Sequence, residues 1–371
     1  MGRLSVGYGR GLLGAVLLLQ AAWVWAHAPG LSSLDVAVKP ARIDVRMTFA
    51  LQDIEAFAPM DSDLDAEVSD AEREAAKPDI AKLLAGQLRI AVDGEDVAPT
   101  GLGQVGFDAE NNAHVEFQYA AVPKRRLLVQ STFLQRLAEG HRQYLTVRDA
   151  DGKVLAEKML VKQDDGLSLS FAAAADGEPV ASAHSTFNTF RDFFKLGVEH
   201  IVTGYDHLLF LLALLVVTHG FWQALKIITF FTLAHSLTLA LAGLNIVDLL
   251  GSFVEPFIAA TIIYVGVENI IRGDHPKGRH WLTFGFGLIH GFGFAGALRE
   301  MEISSGDTGI FLPLLSFNLG IESGQIAVAI VILPMIWWLN NKADIAEKFL
   351  KSCSIAVSLM GTYWLLERTV L

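Results

Sequence analysis

The sequence predicts a membrane protein in two parts: an N-terminal extracytoplasmic β-sandwich followed by an α-helical bundle of six transmembrane helices. Four observations predict it. Hydrophobic residues make up 52% of the 371 and the mean hydropathy is +0.40, too apolar for an ordinary soluble chain. The excess is uneven, because residues 30–185 have soluble composition while residues 197–371 are dominated by apolar runs. Within the first part apolar and polar residues alternate, the period of a half-buried strand. The second part divides into six runs that each approach the ~20 residues needed to cross a bilayer.

The chain opens like a secretory leader. Arg3 and Arg10 supply a positive region, Gly11 to Val24 an apolar core and Val24-Trp25-Ala26 a small-residue cleavage site, so residues 1–26 are expected to be a signal peptide, with an uncleaved anchor as the alternative. Residues 27–171 read as the β domain. Ile43, Val45, Met47 and Phe49 alternate with Arg42, Asp44, Arg46 and Thr48, a strand pattern. Further strands are expected at 88–92, 113–119 and 126–131, and a pair at 144–148 and 154–161 flanks Asp149-Ala150-Asp151-Gly152, a hairpin signal. Residues 61–82 interrupt the pattern as a loop leading into a helix. Their acidic run (Asp61, Asp63, Asp65, Glu67, Asp70, Glu72, Glu74) reads as a solvated face, or else as a weak cation-gathering patch. It lacks the glycine and terminal glutamate of an EF-hand loop. His114, His141 and His184 are scattered and read as surface or strand residues. Residues 172–190 are a small-residue linker.

Residues 191–371 form the expected membrane domain, with spans near 196–217, 222–244, 252–272, 281–299, 309–338 and 352–370. A cleaved leader places the β domain outside, so the loops after spans one, three and five should be cytoplasmic and basic. The loop after span three carries Arg272, Lys277 and Arg279, and that after span five Lys342, Lys348 and Lys351. Leu244 to Gly251 carries only Asp248, and Arg299 to Asp307 is net acidic. The expected location is a bacterial-type inner membrane, with lipid around the spans and a periplasmic β domain that offers a surface to a periplasmic partner. A formal charge of −11 argues against nucleic acid as a partner. Cys353 is the only cysteine, which excludes an intrachain disulfide and a thiolate zinc site.

The stretch Gly197 to Val217 is apolar enough to span yet carries Glu199, His200, Asp206 and His207. Ionisable groups at membrane depth cost roughly 2.5 kcal/mol or more each and mark function. His235, Glu255, Glu268, His290, Asn318, Glu322 and Gln325 extend the theme. Counted at ~1.5 Å per residue, His207, His235, His290 and Glu322 fall near mid-depth on four different spans. Histidine and carboxylate at one depth is how metal sites in helix bundles are assembled, and neutral imidazole with carboxylate suits nickel, zinc, cobalt, iron or copper(II) rather than magnesium or calcium. The candidate ligands are His200, Asp206, His207, His235, His290 and Glu322. On a straight helix His200 and His207 would share a face about 10 Å apart along the axis. Either they serve successive sites, or Gly204 lets the helix unwind and bring them together. Asp206 points ~100° away from His207, as a ligand toward another helix or as a partner that fixes an imidazole tautomer.

The block from His200 to His207, HIVTGYDH, resembles the HX5DH signature of the HupE/UreJ family of hydrogenase and urease accessory membrane proteins, and is similar to the HX4DH motif of nickel/cobalt permeases. FTLAHSLTLAL, FGLIHGFGFA and FNLGIESGQ resemble a branch of that family with an extracytoplasmic domain ahead of the membrane part, and the resemblance covers about 190–338. It implies nickel permeation, with His200, Asp206 and His207 as ligands. One departure stands out: of a second family signature, FHGXAHGXE, only His290-Gly291 remains, with Leu288 and Gly293 at flanking positions. The expected function is transport or handling of a divalent transition metal. The alternative is a metal-dependent intramembrane hydrolase in which Glu322 or Asp206 acts as base.

The topology is testable in a Cys353→Ser background. Single cysteines at Ser252 and Ser304 are expected to react with an impermeant thiol reagent from the periplasmic side, and one at Ser352 is not. Labelling of the first two only from the cytoplasmic side would invert the orientation.

Overall fold

A computed structural model describes residues 30–65, 68–108, 111–171, 186–244, 246–247, 249–273, 278–294, 310–340 and 343–370. The expected signal peptide at 1–26, linker residues 172–185 with His184, and the acidic stretch Arg299 to Asp307 lie outside the described residues.

Ten strands build two sheets. They are β1 (Leu31–Val38), β2 (Ile43–Ala50), β3 (Leu88–Val92), β4 (Glu95–Val97), β5 (Gln104–Phe107), β6 (Asn112–Tyr119), β7 (Arg126–Ser131), β8 (Arg142–Arg148), β9 (Val154–Leu160) and β10 (Gly166–Ser170). The larger sheet has the order β5-β6-β2-β1-β8-β9 and the smaller β10-β7-β3-β4. All pairs are antiparallel except β1 with β8. The alternation in β2 works as expected: Ile43, Val45, Met47 and Phe49 are buried, with Val45 opposite Phe117 on β6. Leu34, Val36, Phe117 and Val147 from one sheet and Ile90, Leu127, Val129 and Leu169 from the other share one core, which is the sandwich arrangement. The hairpin at 149–152 joins β8 to β9. The short strands β4 and β5, and helix α1 (Leu51–Phe57), carry too little periodicity to be read from sequence.

The acidic insertion becomes helix α2 (Asp70–Ala85), opened by a capping box between Ser69 and Glu72. Hydrogen bonds from the backbones of Ser62 and Ser69 and from both hydroxyls hold the Glu72 carboxyl down at about 2. Asp61, Asp63 and Asp65 gather their carboxylates within 4.8 Å of one another, but in a solvated loop.

The helical part begins at Thr186, inside the stretch expected as linker. It comprises α3 (Thr186–Thr203), α4 (Tyr205–Leu215), α5 (Phe221–Gly243), α6 (Gly251–Arg272), α7 (Arg279–Phe292), α8 (Phe311–Asn340) and α9 (Ala343–Glu367). Four of these, α5, α6, α8 and α9, are long and apolar enough to cross a membrane, and α3 with α4 makes a fifth crossing if the bent pair is one span. The run expected at 281–299 is helical over Arg279–Phe292, 14 residues, or about 21 Å at 1.5 Å per residue, short of the ~30 Å hydrocarbon core. Residues 295–309 lie outside the described residues, so the described helices account for four or five of the six expected spans.

The two parts meet on α3. Tyr144 of β8 packs edge-on against Phe193, with ring centroids 5.5 Å apart. Leu31, Tyr144 and Met159 continue a cluster with Phe193, Leu196, Ile201 and Phe317. Arg142 donates to Glu199, the residue before His200. Deeper in the bundle, α7 lies hard against α5. A Cβ at Gly291 would land on Thr238 Oγ1 and the carbonyl of His235, and one at Gly287 on the carbonyl of Phe231. Gly287 and Gly291 thus serve close packing.

A matched pair tests that contact. Gly291→Ala is expected to lower the thermal midpoint of the detergent-purified protein, by about 1–3 kcal/mol of overpacking. Gly285→Ala, where the new Cβ meets nothing, is expected to leave it unchanged or raise it.

Candidate metal centre

The motif stretch is not one helix. Between Thr203 and Tyr205 the chain bends by 71°, with Gly204 in an extended conformation (φ −77°, ψ 93°). Only glycine fits there, since a Cβ would lie 2.6 Å from the carbonyl of His200 and 3.0 Å from His207 Nδ1. The bend folds the two ends of the motif together, so the rings of His200 and His207 stand 4.7 Å apart between centroids. Of the two sequence alternatives for this pair, the unwinding at Gly204 is the one the structure takes.

His235 from α5 and His290 from α7 complete a four-histidine cluster. His235 lies 6.3 Å from both His200 and His207, and His290 lies 5.4 Å from His207, between ring centroids. Ligand nitrogens of His200, His207 and His235 all fall within 4.8 Å of one another. His290 stands outside that group of three, and since nitrogens on one tetrahedral ion are roughly 3–4 Å apart, a shared ion would draw the rings closer together. Phe231, Phe294 and Phe317 wall the cluster off. His207, His235 and His290 are each less than a tenth exposed.

Asp206 plays a different part. Its Oδ1 accepts from the backbone N–H of His207 and lies 2.9 Å from His207 Nδ1. An ionised carboxylate only accepts, so His207 donates from Nδ1 and keeps its lone pair on Nε2. Arg368 approaches the other carboxylate oxygen at 4.0 Å and also reaches Glu255, at 3.6 Å. Glu322 is not drawn into the histidine group. Its carboxylate accepts from Thr229 Oγ1 at 2.7 Å, and the neighbouring Gln325 accepts from Thr232 at 3.0 Å. Glu268 is buried at the far end of α6 with Arg272 and Arg279. Arg279, expected in a loop, is a buried helical residue that donates to the carbonyl of Ala213. In the β domain, His114 bonds Asp108 and Thr48, and buried His141 bonds Ser32, all remote in sequence from the cluster.

The cluster is held together against a cost. His200 Nε2, His207 Nε2, both nitrogens of His235 and His290 Nδ1 are buried without a hydrogen-bond partner among the described residues, as is Asn318 Oδ1. A buried polar atom left unsatisfied costs about 1–3 kcal/mol, so five ring nitrogens together rival the ~5–15 kcal/mol that holds a whole domain folded. A neutral ring offers one lone pair, so a single ion can take one nitrogen from each of the four rings and relieves most of that cost. Four neutral imidazoles suit a borderline transition metal and reject magnesium or calcium.

An apolar helical bundle that follows a β-sheet domain defines the class: an α-helical membrane protein with an N-terminal globular domain. Residues 177–368 match the family described as HupE / UreJ protein. The match takes in more than half of the chain, and the protein belongs to that family, which is associated with nickel and cobalt transport. No curated protein matches the chain.

Cobalt(II) titration of the purified protein separates the two carboxylates. Asp206→Asn is expected to weaken binding about 10–100-fold, as loss of a ligand-orienting group does, and Glu322→Gln to leave it unchanged. Equal loss in both would make Glu322 a ligand of the same ion.

Proposed function

We propose that the protein carries a divalent transition metal ion, nickel, cobalt or zinc, across a bacterial inner membrane from the side of the β domain. His200, His207, His235 and His290 hold the ion, and Asp206 orients His207 and supplies negative charge. The observation that carries this reading is the convergence of four histidine rings from α3, α4, α5 and α7 in one buried place, each with a ring nitrogen that has no hydrogen-bond partner among the described residues.

A second feature favours transport over a closed-ended site. Thr232 and Thr229 lie three and six residues before His235 on α5, about 4.5 and 9 Å along its axis. They pair with Gln325 and Glu322 of α8, so a polar seam leads from the histidines toward the start of α5. With the β domain outside, that start faces the cytoplasm, and Glu322 receives the ion after the histidines. The hydrolase reading needs a carboxylate at the cluster free to take a proton from a metal-bound water. Asp206 is engaged by His207 and Glu322 by Thr229. In this proposal residues 1–26 direct export, residues 27–171 form the periplasmic domain, 172–190 connect it and 191–371 span the membrane.

Reconstituted in vesicles with a metal-sensitive dye inside, the protein is expected to accelerate entry of nickel, cobalt or zinc. His200→Ala should abolish the acceleration, and Glu322→Gln should slow it while binding persists. Stoichiometric binding without flux for any of the three ions, at matched orientation and with a proton gradient imposed, would refute transport.

A further inference from the structure

We infer that Thr261 of α6 is a positioning residue of this centre: its hydroxyl fixes His290 as the Nε2–H tautomer and leaves Nδ1 as the ring's lone-pair nitrogen. The inference rests on the metal-site reading above and adds a fifth helix to it, because α6 contributes none of the four histidines.

The geometry follows from counting one proton. Thr261 Oγ1 lies 2.7 Å from the backbone carbonyl of Ile258 and 2.8 Å from His290 Nε2. Two oxygens at 2.7 Å repel unless a hydrogen lies between them, and a carbonyl cannot supply it. The hydroxyl therefore donates to Ile258, and its single proton is spent. Toward His290 it can only accept, so Nε2 must carry the proton. In a neutral imidazole the other nitrogen then holds the lone pair. That nitrogen, Nδ1, is buried and has no partner among the described residues. Thr261 is itself 4% exposed and His290 is 1% exposed, so water does not compete readily for either group.

His207 is set the opposite way. Asp206 accepts from its Nδ1 and frees Nε2. Two neighbours of different chemistry, a carboxylate on the same helix turn and a hydroxyl from another helix, thus prepare two histidines in complementary tautomers before any ion arrives. Without the hydroxyl, His290 is free to place its proton on Nδ1 and present no lone pair on that side.

The test reads the tautomer first, in full-length, metal-free protein labelled with ¹⁵N-histidine. Long-range ¹⁵N–¹H spectra distinguish the two tautomers, and His290 is assigned by the signals lost in His290→Asn. Wild type and Thr261→Ser are expected to show Nε2–H at His290, and the near-isosteric Thr261→Val a shift toward Nδ1–H. Cobalt(II) affinity should fall about 10–100-fold in Thr261→Val and recover in Thr261→Ser. Wild-type protein protonated at Nδ1 would overturn the inference without need of any variant. So would an unchanged tautomer in Thr261→Val, or a changed tautomer with unchanged affinity; Thr261→Ala serves where the valine protein does not fold. Failure of the wild-type protein to bind cobalt, nickel or zinc would remove the metal-site reading instead, while the spectra still decide the role of Thr261.

Discussion

A neutral imidazole has one donor and one acceptor nitrogen, and burying it leaves both needing partners. The membrane part of this chain satisfies that constraint only by half. Asp206 engages one side of His207 and Thr261 one side of His290, while each of the four rings keeps a buried nitrogen without a hydrogen-bond partner among the described residues. The bundle is arranged to bring the four rings together. A straight helix would leave His200 and His207 about 10 Å apart along its axis, and the break at Gly204 removes the separation. Without side chains at Gly287 and Gly291, α7 can sit against the α5 backbone, at the level of His235.

Breaking a helix inside a bilayer exposes backbone groups that water cannot satisfy there. Side chains satisfy backbone groups at both ends of the short α4. At its start, Asp206 accepts from the His207 N–H, a favourable place for a carboxylate beside the positive end of the helix. At its finish, the carbonyl of Ala213 accepts from both Asn269 and Arg279, and that of Leu214 from Thr218. A guanidinium at a helix C-terminus also complements the dipole, and Glu268 balances its charge from 3.9 Å. The buried Arg279–Glu268 pair is therefore explained by the shortness of α4.

What could be read in the sequence, and what could not, follows from the range of each signal. The alternation of β2 and β6 and the turn before β9 are local, and the strands appear where expected. Strands β4 and β5 are three and four residues long and largely exposed, so they hold too little pattern to see. Depth along a span could be counted, which is why His207, His235 and His290 do converge. Direction around a helix could not, and Glu322 turns to Thr229 instead of the cluster. Arg279 follows a Pro-Lys-Gly stretch and looked like loop charge, although it is buried. Thr261 gave no signal at all, since a threonine inside an apolar helix is unremarkable until its neighbour 29 residues later is a histidine.

If the site both binds and releases an ion, as the proposed transport requires, the bend at Gly204 has a further consequence. His200 belongs to α3, which packs chiefly on α8 and is tied to the β domain through Glu199–Arg142 and Phe193–Tyr144. His207 belongs to α4, which packs on α6 and is fixed at its end by Asn269 and Arg279. The two motif histidines thus sit on different packing units joined by one residue. In a transport cycle the ion must be surrendered, and ligands on a single rigid helix could part only by changing rotamer. Ligands on two units separate when one unit rocks against the other, as broken helices allow in secondary transporters. A shift of α3 in such a cycle would carry His200 away from His207, His235 and His290 together, and the β domain, fastened to α3 beside His200, would move with it or resist it.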